Sequence, residues 1–162
     1  MYQWIVLLHI VGAFLFAVSH GVGIWAIIQI QRDRNPAQIR HLLGLSSESL
    51  TGVYIGLLLL LVGGIWAGII GDWFKYGWIW AALILLVLIT VGMYVLAVPY
   101  FRQLRAAVGI RPMNWPKNDP DPVPLPDADI AALAARAPVN ALTLIGFGGL
   151  LIILWLMVLK PF

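Results

Sequence analysis

The chain has 162 residues, 62% of them hydrophobic and 10% charged, with a mean hydropathy of +0.94. Those values exclude an ordinary soluble globular domain and point to one membrane domain. A net charge of +3 could suggest nucleic acid, but eight of the ten Lys and Arg fall in two connections that flank apolar stretches, so no nucleic-acid partner is expected. The absence of cysteine excludes disulfides, thiolate metal sites, iron–sulfur clusters and covalently attached c-type haem.

Stretches without Asp, Glu, Lys or Arg cover about residues 2–29, 50–71, 77–101 and 139–159. Each reaches the roughly 20 residues that a helix needs to cross hydrocarbon, and only helices or closed barrels satisfy their backbone there. The sequence therefore predicts an all-α integral membrane protein, a four-transmembrane-helix up-down bundle over residues 1–162, with the lipid bilayer as its solvent.

The first stretch follows Met1-Tyr2-Gln3-Trp4, which has no basic n-region, and it is too long for the core of a signal peptide. It is expected to remain in the mature protein. The connection after it holds Arg32, Asp33, Arg34, Arg40, His41 and Glu48 and reads as a basic loop. The second stretch carries Gly52, Gly56, Gly64 and Gly68 on an i,i+4 ridge. Small residues mark where spans approach closely, so this span is expected to pack against the chain's own helices, with a homo-oligomer face as the alternative.

A short connection with Asp72 and Lys75 leads to the third stretch. Residues 102–138 then form a connector holding Arg102, Arg105, Arg111, Lys117 and Arg136. Between Arg111 and Asp127 it contains Pro112, Pro116, Pro120, Pro122, Pro124 and Pro126, which predict an extended, semi-rigid segment. Residues 127–136 follow with helix-forming alanines, acids at the start and Arg at the end, and predict a short helix. Its expected place is the membrane surface, with docking of a partner as the alternative. Pro138 marks the junction with the fourth stretch.

The two basic connections place both loops in the cytoplasm and both termini outside, in a bacterial plasma membrane. Trp4, Trp66, Trp73, Trp78, Trp80 and Trp155 predict an interfacial belt on the outer side, with Trp25 and Tyr100 as inner counterparts.

Intramembrane chemistry is limited to a few side chains. His9 and His20 share one face of the first span, because residues eleven apart return to nearly the same helical angle. They lie about 16 Å apart along the axis, too far to share one metal ion. Both are expected to face the bundle interior. Separate b-type haem sites are one reading, with His20 the better intrachain candidate, since Gly21 and Gly23 lie beside it and Met93 in the third span matches its depth. Met157 fits His9 less well. The competing reading is that each imidazole bonds a backbone carbonyl or a hydroxyl such as Ser19, Tyr54, Thr90 or Tyr94. No intramembrane carboxylate is present for proton-coupled transport, and no complete catalytic constellation or phosphate loop is present.

Leu8-His9-Ile10-Val11-Gly12-Ala13, the basic loop with Pro36, the glycine-bearing second span and Gly77-Trp78-Ile79-Trp80 leading to Phe101-Arg102 resemble a bacterial family of predicted integral membrane proteins of unknown function. That family is similar to the copper-resistance D membrane proteins and to HemJ-type protoporphyrinogen oxidases. The resemblance covers about residues 3–105. The HemJ likeness implies a haem-ligating histidine early in span one, which falls on His9, and a lysine in a later span, which the third span lacks. The copper likeness implies copper handling, for which His9, His20, Met93 and Met157 are acceptable Cu(I) ligand types. The leading expectation is a small non-enzymatic accessory subunit of a larger membrane complex with a b-type haem at His9 or His20, and with partner subunits or further copies as neighbours. A porphyrin oxidoreductase and a copper-handling protein are the alternatives.

Overall fold

A computed structural model describes residues 1–112, 115–116 and 118–162; Lys117, one of the cations counted above, lies outside them. The described elements are α1 (Tyr2–Asp33), α2 (Pro36–Ile70), a 3-10 turn (Trp73–Lys75), α3 (Gly77–Ala107), α4 (Asp127–Ala135) and α5 (Val139–Leu159), with no strand among them. The four long helices are all apolar enough to cross a membrane, and the fold is an all-α, up-down bundle of four such helices. Both termini lie at one end, here the terminal end, and the α1–α2 turn and α4 lie at the other, here the basic end.

The helices outrun the apolar stretches. At about 1.5 Å per residue α1 is roughly 48 Å long, well beyond the ~30 Å of hydrocarbon. The expected basic loop after span one is a two-residue turn. Arg34 adopts a left-handed conformation (φ 57°) and its N–H bonds the Ile30 carbonyl, while the Asn35 side chain caps α2 by accepting from the N–H groups of Ala37 and Gln38. Pro36 opens α2, where its missing N–H costs nothing. Residues 36–49 are helical because Ile39, Leu42, Leu43 and Ser46 follow the helical period and are buried against Ala26, Ile27 and Ile30 of α1.

Two helix pairs make the bundle. In the first, α1 and α2 lie almost backbone to backbone. A Cβ on Gly56 would stand 2.5 Å from the Phe16 nitrogen, one on Gly63 2.7 Å from the His9 nitrogen, and one on Gly12 would strike the backbone of Leu59 and Leu60. Of the expected ridge, Gly52 and Gly56 face α1, Gly64 faces the His9 ring, and Gly68 faces Phe74 and Ile79. The ridge is therefore taken up within the chain. In the second pair, Gly149 of α5 receives Ile89 of α3, and Leu156 packs with Trp78, Ile79 and Ala82.

The basic end carries the larger core, built from Ile24 to Ile30, Ile39 to Leu43, Tyr100 to Val108 and residues of 130–142. Here one side of α4 docks on the protein. Ile130 and Ala134 are buried in that core, and the Gln31 amide donates to the carbonyls of Ala135 and Ala137 at 3.5 and 3.2 Å. A protein surface rather than lipid takes its apolar side. The proline segment is folded back by Arg111, which bonds the Asp119 carbonyl at 2.7 Å and pairs with Asp121 at 3.1 Å. Tyr100, expected in the interfacial belt, is instead buried in this core, and Trp78 is buried at the terminal end; Trp4, Trp25, Trp66, Trp80 and Trp155 remain exposed.

Candidate functional site

His9 and His20 do lie on one side of α1, and the chain treats them differently. His9 Nδ1 is 2.8 Å from the Leu60 carbonyl oxygen of α2. A carbonyl only accepts, so in the neutral ring Nδ1 carries the proton and Nε2 keeps its lone pair. The ring reaches that carbonyl because Gly64, one turn further along α2, has no side chain: a Cβ there would lie 2.7 Å from His9 Nδ1. Nε2 has no protein partner and is not among the buried orphan atoms, so it keeps accessible surface. Gly64 and Gly68 share a face of α2, and Gly68 meets Phe74 and Ile79. The imidazole thus lies on the flank of the hairpin turned toward the start of α3.

His20 lies between the two pairs. Its ring stacks on Phe16 (centroids 5.8 Å apart, planes 4° apart) and meets the edge of Phe147 at 5.8 Å. Its Nε2 points at Gly146, where a Cβ would strike it. Gly146 sits inside a π-helical segment of α5, Leu144–Gly148. Such a bulge adds a residue to the turn and often marks a site where a helix accommodates a neighbour. His20 Nε2 is buried with no protein partner, as are Thr143 Oγ1 and Tyr100 OH. The expected partnership of a buried histidine with a carbonyl therefore holds for His9 and not for His20.

A haem needs a histidine with a free nitrogen lone pair, held in orientation by a hydrogen bond from its other nitrogen. His9 meets both requirements. His20 has the orphan nitrogen, but Phe16, Phe147 and the π segment wall its ring, and a macrocycle would have to displace them. Gly21 lies 3.8 Å, by its would-be Cβ, from Phe147, and Gly23 3.5 Å from Ser49, so the room around them is used. Met93 packs against the basic-end core and Met157 against the Trp78 cluster. The structure thus places the two histidines on one face and commits the two methionines to packing. Among the described residues, no three His, Asp or Glu side chains gather around one metal position.

Sequence reasoning missed the Leu60 carbonyl, Phe16, Phe147 and Gly146. A signal existed for the last: Gly146, Gly148 and Gly149 crowd four residues of span four, more than a lipid-facing helix needs. An apolar groove of about 380 Å³ between α3 and α5, lined by Leu85, Ile89, Gly92, Ile145 and Gly149 among others, does not include either histidine. No known protein family, no curated protein and no solved structure matches the chain.

Proposed function

We propose that this protein is a small, non-enzymatic subunit of a larger membrane complex and carries one b-type haem on His9. The observation that supports the reading is the unpartnered, accessible Nε2 of His9 on a ring oriented by the 2.8 Å bond from Nδ1 to the Leu60 carbonyl. Ligand histidines are held this way, and the bond both fixes the tautomer and makes the free nitrogen more basic. Bound there, haem would supply an iron able to cycle between two oxidation states for a partner subunit. The chain's own contribution is to orient the imidazole through Leu60 and Gly64 and to keep the surroundings apolar. Membership of a complex agrees with the broad exposed apolar faces of all four long helices, which meet lipid and partner helices alike.

The reading is tested by the reduced-minus-oxidised spectrum of purified wild type, His9→Ala and His20→Ala at equal protein, after growth with haem supplementation. Haem bands in the wild type, lost in His9→Ala and kept in His20→Ala, are expected. Their absence from folded wild type, or their loss only in His20→Ala, would overturn the assignment. In the proposed orientation, the basic end lies in the cytoplasm and both termini lie outside the bacterial plasma membrane. A single cysteine at Asn118, in a chain without native cysteine, should be protected from impermeant external reagents in intact cells.

A further inference from the structure

At the basic end two arginines cross the seam between α2 and α3 in opposite directions. Arg40 of α2 donates Nε–H to the Val108 carbonyl at 2.9 Å, and Arg105 of α3 donates from Nη2 to the Leu43 carbonyl at 3.2 Å and to the Ser47 hydroxyl. Leu43 lies three residues after Arg40, and Val108 three after Arg105. Each guanidinium therefore ends about one helical turn from the anchor of the other. Both cations lie at this end of the bundle, and no carboxylate answers them: the ion pairs among the described residues are Lys75 with Asp72 and Arg111 with Asp121. Glu48, next to Ser47, makes none.

The anchoring leaves donors free. Arg40, an exposed residue, uses only Nε, so both terminal nitrogens remain as a fork of the kind that grips two phosphate oxygens. Arg105 retains Nε and Nη1 without partners among the described residues. Depth fits the same ligand. Arg105 and its acceptor Ser47 lie four and three residues outside the apolar stretches that end at 101 and begin at 50, so about 5–6 Å beyond the hydrocarbon, while Val108, which holds Arg40, lies about 10 Å out, at the outer edge of the headgroups. The headgroup layer occupies roughly the first 5–8 Å there.

We propose that Arg40 and Arg105 form a binding site for the phosphate of an anionic phospholipid headgroup, one that draws its ligand from the leaflet at the basic end. The phosphate would neutralise the paired guanidinium groups and tie α2 to α3 at the membrane surface. Each cation near an anionic surface contributes about five-fold to binding. Phosphatidylcholine carries the same phosphate but balances it with its own ammonium, whereas phosphatidylglycerol keeps a net negative charge, so at this scale the site favours phosphatidylglycerol by roughly 25-fold, and each arginine removed lowers that preference about five-fold.

Native mass spectrometry of the full chain, released from micelles holding the two lipids in equal amounts, measures the ratio directly. The wild type should retain phosphatidylglycerol selectively, Arg40→Gln and Arg105→Gln should each retain it less so, and the double variant should approach parity. Equal retention of both lipids by the wild type, or unchanged selectivity in the double variant, would overturn the proposal. Circular dichroism checks each variant; where Arg105→Gln loses helicity, Arg40→Gln at its exposed position carries the test. A thermal shift from inorganic phosphate equal to that from phosphatidylglycerol would assign the site to soluble phosphate and overturn the lipid assignment.

Discussion

His9 and His20 occupy one face of one helix, but they sit in seams of different construction. The α1–α2 seam around His9 is a backbone contact, in which Gly12, Gly56 and Gly63 let the chains touch and leave the imidazole at the flank, tied at 2.8 Å to Leu60. The α1–α5 seam around His20 is a side-chain contact, in which two phenyl rings and a π turn close around the imidazole. One construction holds a ring by a hydrogen bond and leaves a nitrogen open. The other holds a ring by packing and buries its Nε2 without a partner. The same residue type on the same face thus becomes a candidate ligand or a packing element according to what the opposing helix offers.

The largest expected effect tests the backbone seam. Gly56→Leu should cost about 3 kcal/mol or more, because the clash is with backbone that cannot turn away. Leu59→Ala should cost roughly a third of that, and thermal stability in detergent separates the two. Equal stability for both variants would remove the distinction between the seams. Gly64→Leu should fall between them, since what it meets is the imidazole of His9 rather than main chain.

Next comes the side-chain seam. Gly146→Ala should cost about 1–3 kcal/mol by driving a methyl group into His20, and most of that cost should vanish in the His20→Ala background. A double-mutant cycle with no coupling would show that the π turn does not exist to receive the ring. A smaller contrast follows from the hydrogen bonds. His9→Leu should cost about 1 kcal/mol for the lost bond to Leu60, whereas His20→Leu, which removes a nitrogen with no protein partner, should be neutral or stabilising. Reversal of that order would exchange the roles of the two sites. Smallest of all, Thr143→Val removes the unpartnered hydroxyl just before the π segment of α5 and should change stability by under about 1 kcal/mol, in either direction.

Much of the bundle was legible because lipid leaves few choices: uncharged runs, two basic connections and a glycine ridge determine four crossing helices and much of their pairing. The shared face of His9 and His20 followed from helical periodicity alone. What the sequence did not show is what lies opposite that face. Leu60 acts through its carbonyl, a group every residue carries, so its side chain gave no sign of it. The π segment shifts the facing of α5 by about one residue, roughly 100°, which a uniform helical period misplaces. Docking of α4 was hidden for a related reason: Ile130 and Ala134 offer the same apolar stripe to a membrane surface or to a protein core, and Gln31 on a distant helix is what selects the core. The arginine crossing was hidden because cations at a span end satisfy topology and local contacts together.

The account turns on which histidine offers haem an unpartnered nitrogen on a ring oriented by a hydrogen bond, and nitrogen-15 NMR of histidine-labelled protein in bilayers reads that directly. His9 should appear as the Nδ1–H tautomer with an unprotonated Nε2, its assignment confirmed by loss of the signal in His9→Ala, and added haem should perturb that Nε2 resonance while leaving His20 unchanged. An Nε2–H tautomer at His9, or a haem response at His20 with none at His9, would contradict it.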